Sequence, residues 1–172
     1  MIRPIVQLGD PVLKAKARCL EAEEIAGEPL QTLVRDMLET LEHSGGVGLA
    51  APQVGVSVSL ILAGSFPTEH APDRPEVEVT ALLNPRIVWA SEETEPAWEG
   101  CLSFLDYQVR VVRPLSIQVE YNALDGSPAR VEASGFFARV LQHEIDHLEG
   151  ILTLDRAAAP EDIERLESNP AS

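Results

Sequence analysis

Cysteine, aromatic residues and positive charge are all scarce in this chain. Its 172 residues include two cysteines, Cys19 and Cys101. That is too few for a disulfide framework, so each is expected to act separately, as a buried apolar thiol or as a thiolate ligand. Lysine and arginine total 13 against 28 acidic residues, a net charge of −15. So acidic a surface repels phosphate backbones and anionic lipid, which argues against nucleic acid and membrane as direct partners. No apolar run approaches the roughly 20 residues that span a bilayer. The opening Met1-Ile2-Arg3-Pro4 also lacks the basic-then-apolar order of a signal peptide. A cytoplasmic location is expected. The remaining composition, 45% hydrophobic and 24% charged, is ordinary for a globular protein. With no internal repeat and no linker, it indicates a single domain over residues 1–172, with a short acidic tail after about residue 157.

Periodicity outlines the elements. Leu30, Leu33, Val34, Met37, Leu38 and Leu41 recur at helical spacing between Pro29 and His43, with proline at the start and Ser44-Gly45-Gly46 at the end. A glycine-rich segment, Gly46 to Gly55, follows, then a strand at Ser57 to Ala63 and a surface loop at Gly64 to Glu78. Further strands are predicted at Val79 to Val88, Trp98 to Ser103, Tyr107 to Arg113 and Leu115 to Asn122. A hairpin turn at Leu124-Asp125-Gly126 leads into a last strand at Ala129 to Ala133. Ser134 to Leu148 carries a broad apolar stripe and reads as an embedded helix closed by Gly150. Ile151 to Leu154 reads as a short strand and Pro160 to Leu166 as a short acidic helix. Several strands preceding one buried helix indicate an α+β fold.

The chemistry is concentrated in Gln142-His143-Glu144-Ile145-Asp146-His147. Histidines four apart on a helix share a face, so both imidazoles can meet one cation while the adjacent carboxylate reaches a water beside it. Hydrolytic metal sites commonly use three protein ligands, so a third is required. A metzincin pattern would place histidine at position 153, which is Thr153. A thermolysin-like pattern would draw on Glu161, Glu164 or Glu167, in an acidic stretch that reads as solvated. Cys101, in Glu99-Gly100-Cys101-Leu102-Ser103, is the third candidate and completes a Cys/His/His set with one position open to water.

Three motifs in order, Gly46-Val47-Gly48-Leu49-Ala50-Ala51-Pro52-Gln53, Glu99 to Ser103 and Gln142 to His147, resemble the signatures of the peptide deformylases. The similarity runs from Gly9-Asp10-Pro11-Val12-Leu13 to Leu154-Asp155-Arg156. The resemblance implies antiparallel β-sheets packed around a central metal-binding helix. It also implies removal of the N-formyl group from the N-terminal methionine of nascent chains, with release of formate. One ion is implied, usually Fe2+, with Zn2+ or Ni2+ as substitutes. Cys101, His143 and His147 would be its ligands and Glu144 the general base. The Gln53 side-chain amide and the Leu102 N–H would donate to the oxyanion.

Gly46, Val47 and Gly48 would run beside the peptide substrate like an added strand, and Val47, Leu102 and Val140 are candidates to line the methionine pocket, with simple core packing the competing reading. Glu99 and Arg113 would pair and hold the Cys101 strand in place; a surface ion pair is the competing reading for them. Asp146 either orients a neighbour or faces solvent, and His43 and His70 fall outside the site.

The chain departs from the family after Ser103. Phe104-Leu105-Asp106-Tyr107-Gln108 has leucine where proline is common and glutamine where arginine is common. An altered cleft wall and altered peptide preference are expected, and the alternative reading is a divergent paralogue that acts on another N-acylated amine or binds N-terminal peptides. The acidic end of the chain also offers no basic C-terminal helix for docking on the ribosome.

Overall fold

The computed structural model describes residues 1–167. A one-turn helix, α1 (Ala22–Ile25), precedes α2 (Glu28–Ser44). Pro29 sits in the first turn of α2, and Gly45, at φ 68°, closes it in the left-handed conformation that glycine adopts without strain. Leu30, Leu33, Val34, Met37 and Leu41 are buried along one face, whereas Leu38, counted with them by spacing, is 39% exposed. The glycine-rich segment contains a short strand, β1 (Gly48–Ala50), and a 3-10 turn at Ala51–Val54.

Six strands follow: β2 (Leu60–Ser65), β3 (Val77–Ala90), β4 (Thr94–Gly100), β5 (Tyr107–Pro114), β6 (Ser116–Asn122) and β7 (Pro128–Ser134). Helix α3 (Gly135–Leu148), the one-turn α4 (Thr153–Arg156) and strand β8 (Ile163–Arg165) complete the elements of the described residues. All strand pairs are antiparallel, in a five-stranded sheet ordered β1-β2-β3-β6-β7 and a three-stranded sheet ordered β4-β5-β8. The fold is α+β, with α3 between the sheets.

The alternation of side chains along β2 explains how both helices are held. Leu60 and Leu62 pack with the α2 residues, while Ile61 and Ala63 face the opposite way and pack with Val140, Leu141 and Leu148 of α3. Covered on both faces, β2 reads as the unbroken apolar run that such burial requires. Gly150, at φ 73°, ends α3 where an added Cβ would lie 2.4 Å from the Lys14 carbonyl oxygen, so the position accepts no side chain. The N-terminal segment then ties the motifs together. Val6 N–H donates to the Gln53 carbonyl at 2.8 Å, and Leu8 N–H to that of Ser103 at 2.9 Å.

Two short elements differ from expectation. Ile151 to Leu154 is not a strand; Thr153 begins α4. Pro160 to Leu166 is not a helix beyond a 3-10 turn at Pro160–Asp162. Its next residues form β8, which pairs Glu164 with Gln108 and Ile163 with Val109 at the open edge of β5. An unpaired strand edge offers more backbone hydrogen bonds than an isolated helical turn can make for itself.

Candidate metal centre

Helix geometry and one strand end bring the three candidate ligands together. His143 and His147 lie one turn apart on α3, their ring centroids 5.1 Å apart, and Cys101 follows directly after β4. The ligand atoms of Cys101, His143 and His147 all fall within 4.8 Å of one another, the sole such cluster of metal-ligating side chains among the described residues. A tetrahedral ion with sulfur at about 2.3 Å and imidazole nitrogen at about 2.0–2.1 Å sets an S···N edge of about 3.5 Å. Cys101 Sγ lies 3.5 Å from His147 Nε2. The donor set therefore fits a single tetrahedral cation. Thr153, on α4, and Glu161, Glu164 and Glu167, exposed near the end of the described chain, take no part in the cluster.

The charges around the cluster are organised by Glu99. Arg113 donates to both its carboxylate oxygens, Nε to Oε2 at 2.6 Å and Nη2 to Oε1 at 2.9 Å. Arg139 Nη1 reaches Oε2 at 2.6 Å, and Oε1 accepts from His143 Nδ1 at 2.9 Å. That last bond turns His143 Nε2 towards the centre. Arg113 also bonds Asp146 Oδ2 at 2.9 Å, and Asp146 in turn holds Arg156, Nη2 to Oδ1 at 2.6 Å. The Glu99–Arg113 pair is thus buried within a network of five charged side chains, and Asp146 orients neighbours rather than facing solvent. Sequence reasoning passed over Arg139 and Arg156. For Arg139 the available signal was an arginine within an apolar helix stripe, a position that demands a buried partner.

These surroundings set the protonation states. Burial opposes the charge on Glu99, but the hydrogen bonds from His143 and Arg113 outweigh it and hold its carboxyl at about 2. Burial lowers the pKa of His147 well below the imidazole range, aided by His143 and Arg113, so it is the neutral form that a cation requires. For His143 burial also works downwards, yet hydrogen bonds to Cys101 and Glu99 prevail and raise it well above that range. A cation held at the centre would require the neutral imidazole of His143 as well. Burial pushes the Glu144 carboxyl up to about 7, and its Oε2 has no protein partner. A divalent cation alongside would bring that value down again.

Gln53 is 1% exposed and its amide is oriented at both ends. Oε1 accepts from Ala50 N–H at 2.9 Å, and Nε2 donates to Ser103 Oγ at 3.1 Å and lies 3.7 Å from Cys101 Sγ. Leu102 N–H makes no hydrogen bond to another described residue. All these groups lie on or beside a cleft of about 310 Å³ whose lining includes Gly46, Val47, Gly48, Gln53, Leu102 and Val140.

Comparison with known proteins agrees with this geometry. Residues 2–162 match the family model described as polypeptide deformylase. The chain belongs to the polypeptide deformylase family. A peptide deformylase 2 of Nostoc sp. is 42% identical over 153 residues, covering 89% of this chain and 84% of that protein. The peptide deformylase of Dictyoglomus thermophilum is 45% identical over 157 residues, 91% of this chain and 94% of that one. Among solved structures, a class I type b peptide deformylase from Acinetobacter baumannii with Met-Ala-Ser bound superposes with a TM-score of 0.88. It shows 37% identity and covers 91% of this chain and 98% of that chain.

Within this deformylase-family cleft the close approach at Gly48 is to the protein's own side chain. A Cβ there would lie 2.5 Å from Glu144 Oε1 and 2.8 Å from its Cγ. Gly48→Ala is expected to displace the carboxylate and lower kcat/KM on formyl-Met peptides by about a hundredfold. The cost in stability should be about 1–3 kcal/mol. Steady-state kinetics beside a thermal melt separate the two effects. The departures after Ser103 also have visible consequences. Leu105 is 66% exposed at the cleft, and Gln108 is drawn away to Glu164 Oε2 at 2.8 Å.

Proposed function

We propose that the protein removes the N-formyl group from the N-terminal methionine of newly made polypeptides, adding water across the formyl C–N bond to yield formate and a free amine. The observation that carries this reading is the Cys101/His143/His147 cluster beside a cleft lined by Cys101, His143, Glu144 and Gln53, in a member of the deformylase family. A bound divalent ion would acidify the attacking water and polarise the formyl oxygen. Glu144, partnerless at Oε2 and adjacent to the ligand set, accepts the proton of that water and returns it to the departing amine. Gln53 Nε2 and the Leu102 N–H donate to the oxyanion that forms on the formyl oxygen, each donor being worth about 3–4 kcal/mol in comparable sites.

The backbone at Gly46 to Gly48 runs alongside the peptide, and Val47 and Val140 contact the methionine side chain. One thiolate and two imidazoles suit borderline-soft ions; Fe2+ is the proposed native metal, with Zn2+ or Ni2+ able to substitute. The reaction is assigned to the cytoplasm.

The test is formate release from formyl-Met-Ala-Ser by protein loaded anaerobically with Fe2+, set against acetate release from acetyl-Met-Ala-Ser. Turnover of the formyl peptide, with the acetyl peptide far slower, is the expected result. Comparable rates on both peptides, or internal peptide cleavage in place of formate release, would overturn the proposal.

A further inference from the structure

The cleft carries a guanidinium whose side-chain donors meet no acceptor among the described residues. Arg74 lines it from the loop joining β2 to β3, and that loop is pinned beside it. Buried Ser65 donates through Oγ to the Pro75 carbonyl at 2.6 Å, and Arg74 N–H donates to the Ala71 carbonyl at 3.3 Å. The guanidinium stands 4.0 Å over the Phe136 ring. Stacking of this kind occupies the face of the group and leaves its N–H edges available.

Arg74 makes no side-chain hydrogen bond or ion pair with another described residue, although acidic residues outnumber basic ones 28 to 13 in the chain. Asp73 and Glu76 flank it in sequence and do not pair with it. Arg139, the other cation lining the cleft, is committed to Glu99, to the Val111 carbonyl at 2.9 Å and to the Glu95 carbonyl at 2.6 Å.

We propose that Arg74 is a specificity determinant that binds a carboxylate carried by the peptide beyond its methionine. Two sources share that chemistry: the side chain of an acidic residue and the terminal carboxylate of a short peptide. Both present the two-oxygen acceptor that a guanidinium matches. The inference rests on the cleft being a peptide site. A half-exposed pair of this kind changes affinity by about two- to fivefold and weakens with salt.

The experiment measures binding of deformylated peptides to the metal-loaded protein by calorimetry, in parallel with kcat/KM on their formylated forms. The peptides are Met-Ala-Glu-amide, Met-Ala-Gln-amide and Met-Ala-Gln with a free carboxyl terminus, each at low and high salt. The proteins are the parent, Arg74→Gln, Arg74→Lys and Arg130→Gln, the last removing a cation that donates to Gln118 away from the cleft. The parent is expected to favour one or both carboxylate-bearing peptides over the neutral amide by about two- to fivefold. That preference should vanish in Arg74→Gln, fall at high salt, survive in part in Arg74→Lys and persist in Arg130→Gln.

The two carboxylate arms identify the source. A preference that survives Arg74→Gln, equal binding of all three peptides by the parent, or no binding of any of them overturns the inference. Binding with the preference but no formate release would instead count against the proposed reaction and leave the Arg74 assignment standing.

Discussion

Glu144→Gln is expected to lower formate release by about 10²–10⁴-fold while the metal stays bound. The substitution keeps the size of a side chain packed against Gly48 and removes the group that can accept a proton. It also removes a carboxyl that burial pushes up to about 7 and that has no partner at Oε2, so no ion pair is broken and the fold should be retained. Because Cys101, His143 and His147 are untouched, metal content by elemental analysis should match that of the parent. Activity within tenfold of the parent at equal metal content would show that another group handles the proton. Loss of metal together with activity would place Glu144 in the ligand set.

Arg113→Met should be the most costly single change to stability outside the apolar core. Arg113 is 3% exposed and holds Glu99 through two bonds and Asp146 through a third. Truncating it leaves two buried carboxylates short of a partner, at a cost of about 3–5 kcal/mol, read by denaturant unfolding at neutral pH. The pH dependence has a definite sign. The Glu99 carboxyl is held at about 2 against an ordinary 4.5, so its contribution is complete above pH 4.5 and is lost as pH falls towards 2. The variant should therefore show a shallower loss of stability across that window. His143, no longer fixed by a fully held Glu99, should bind metal about 10–100-fold more weakly. A change in stability under about 1 kcal/mol would mean that Arg139 and Arg156 hold the two carboxylates without Arg113.

Much of the frame was legible without coordinates. Helix α2 is evident from its spacing and its glycine stop, and the four-residue separation of His143 and His147 places both on one side of any helix. The hairpin at Leu124-Asp125-Gly126 is equally local, with Gly126 at φ 84° and Asp125 Oδ1 accepting from Ser127 N–H. The Glu164 segment was not legible as a strand, because three exposed residues are extended only by virtue of the edge of β5 beside them. The outward turn of Leu38 was hidden for a related reason. Spacing marks apolar residues within reach of one helix face, and the neighbouring sheet selects which of them are covered.

The charge network shows where local information ends. Glu99, Arg113, Arg139, Asp146 and Arg156 come from β4, β5, α3 and α4, and no spacing rule relates them. A buried guanidinium needs a carboxylate, but the chain offers 28, and the choice depends on which backbone segments the sheets and α3 bring together. The same applies to Arg74, the lone arginine of a polar loop until the fold lays it across Phe136. Residue types, helix period and turn chemistry act within a few positions, so they were sufficient for the metal-ligand motif, the main helices and the α+β class. The partners of buried charges, the edge strand and the place of Arg74 over Phe136 arise between segments distant in sequence, where burial and desolvation select the pairing.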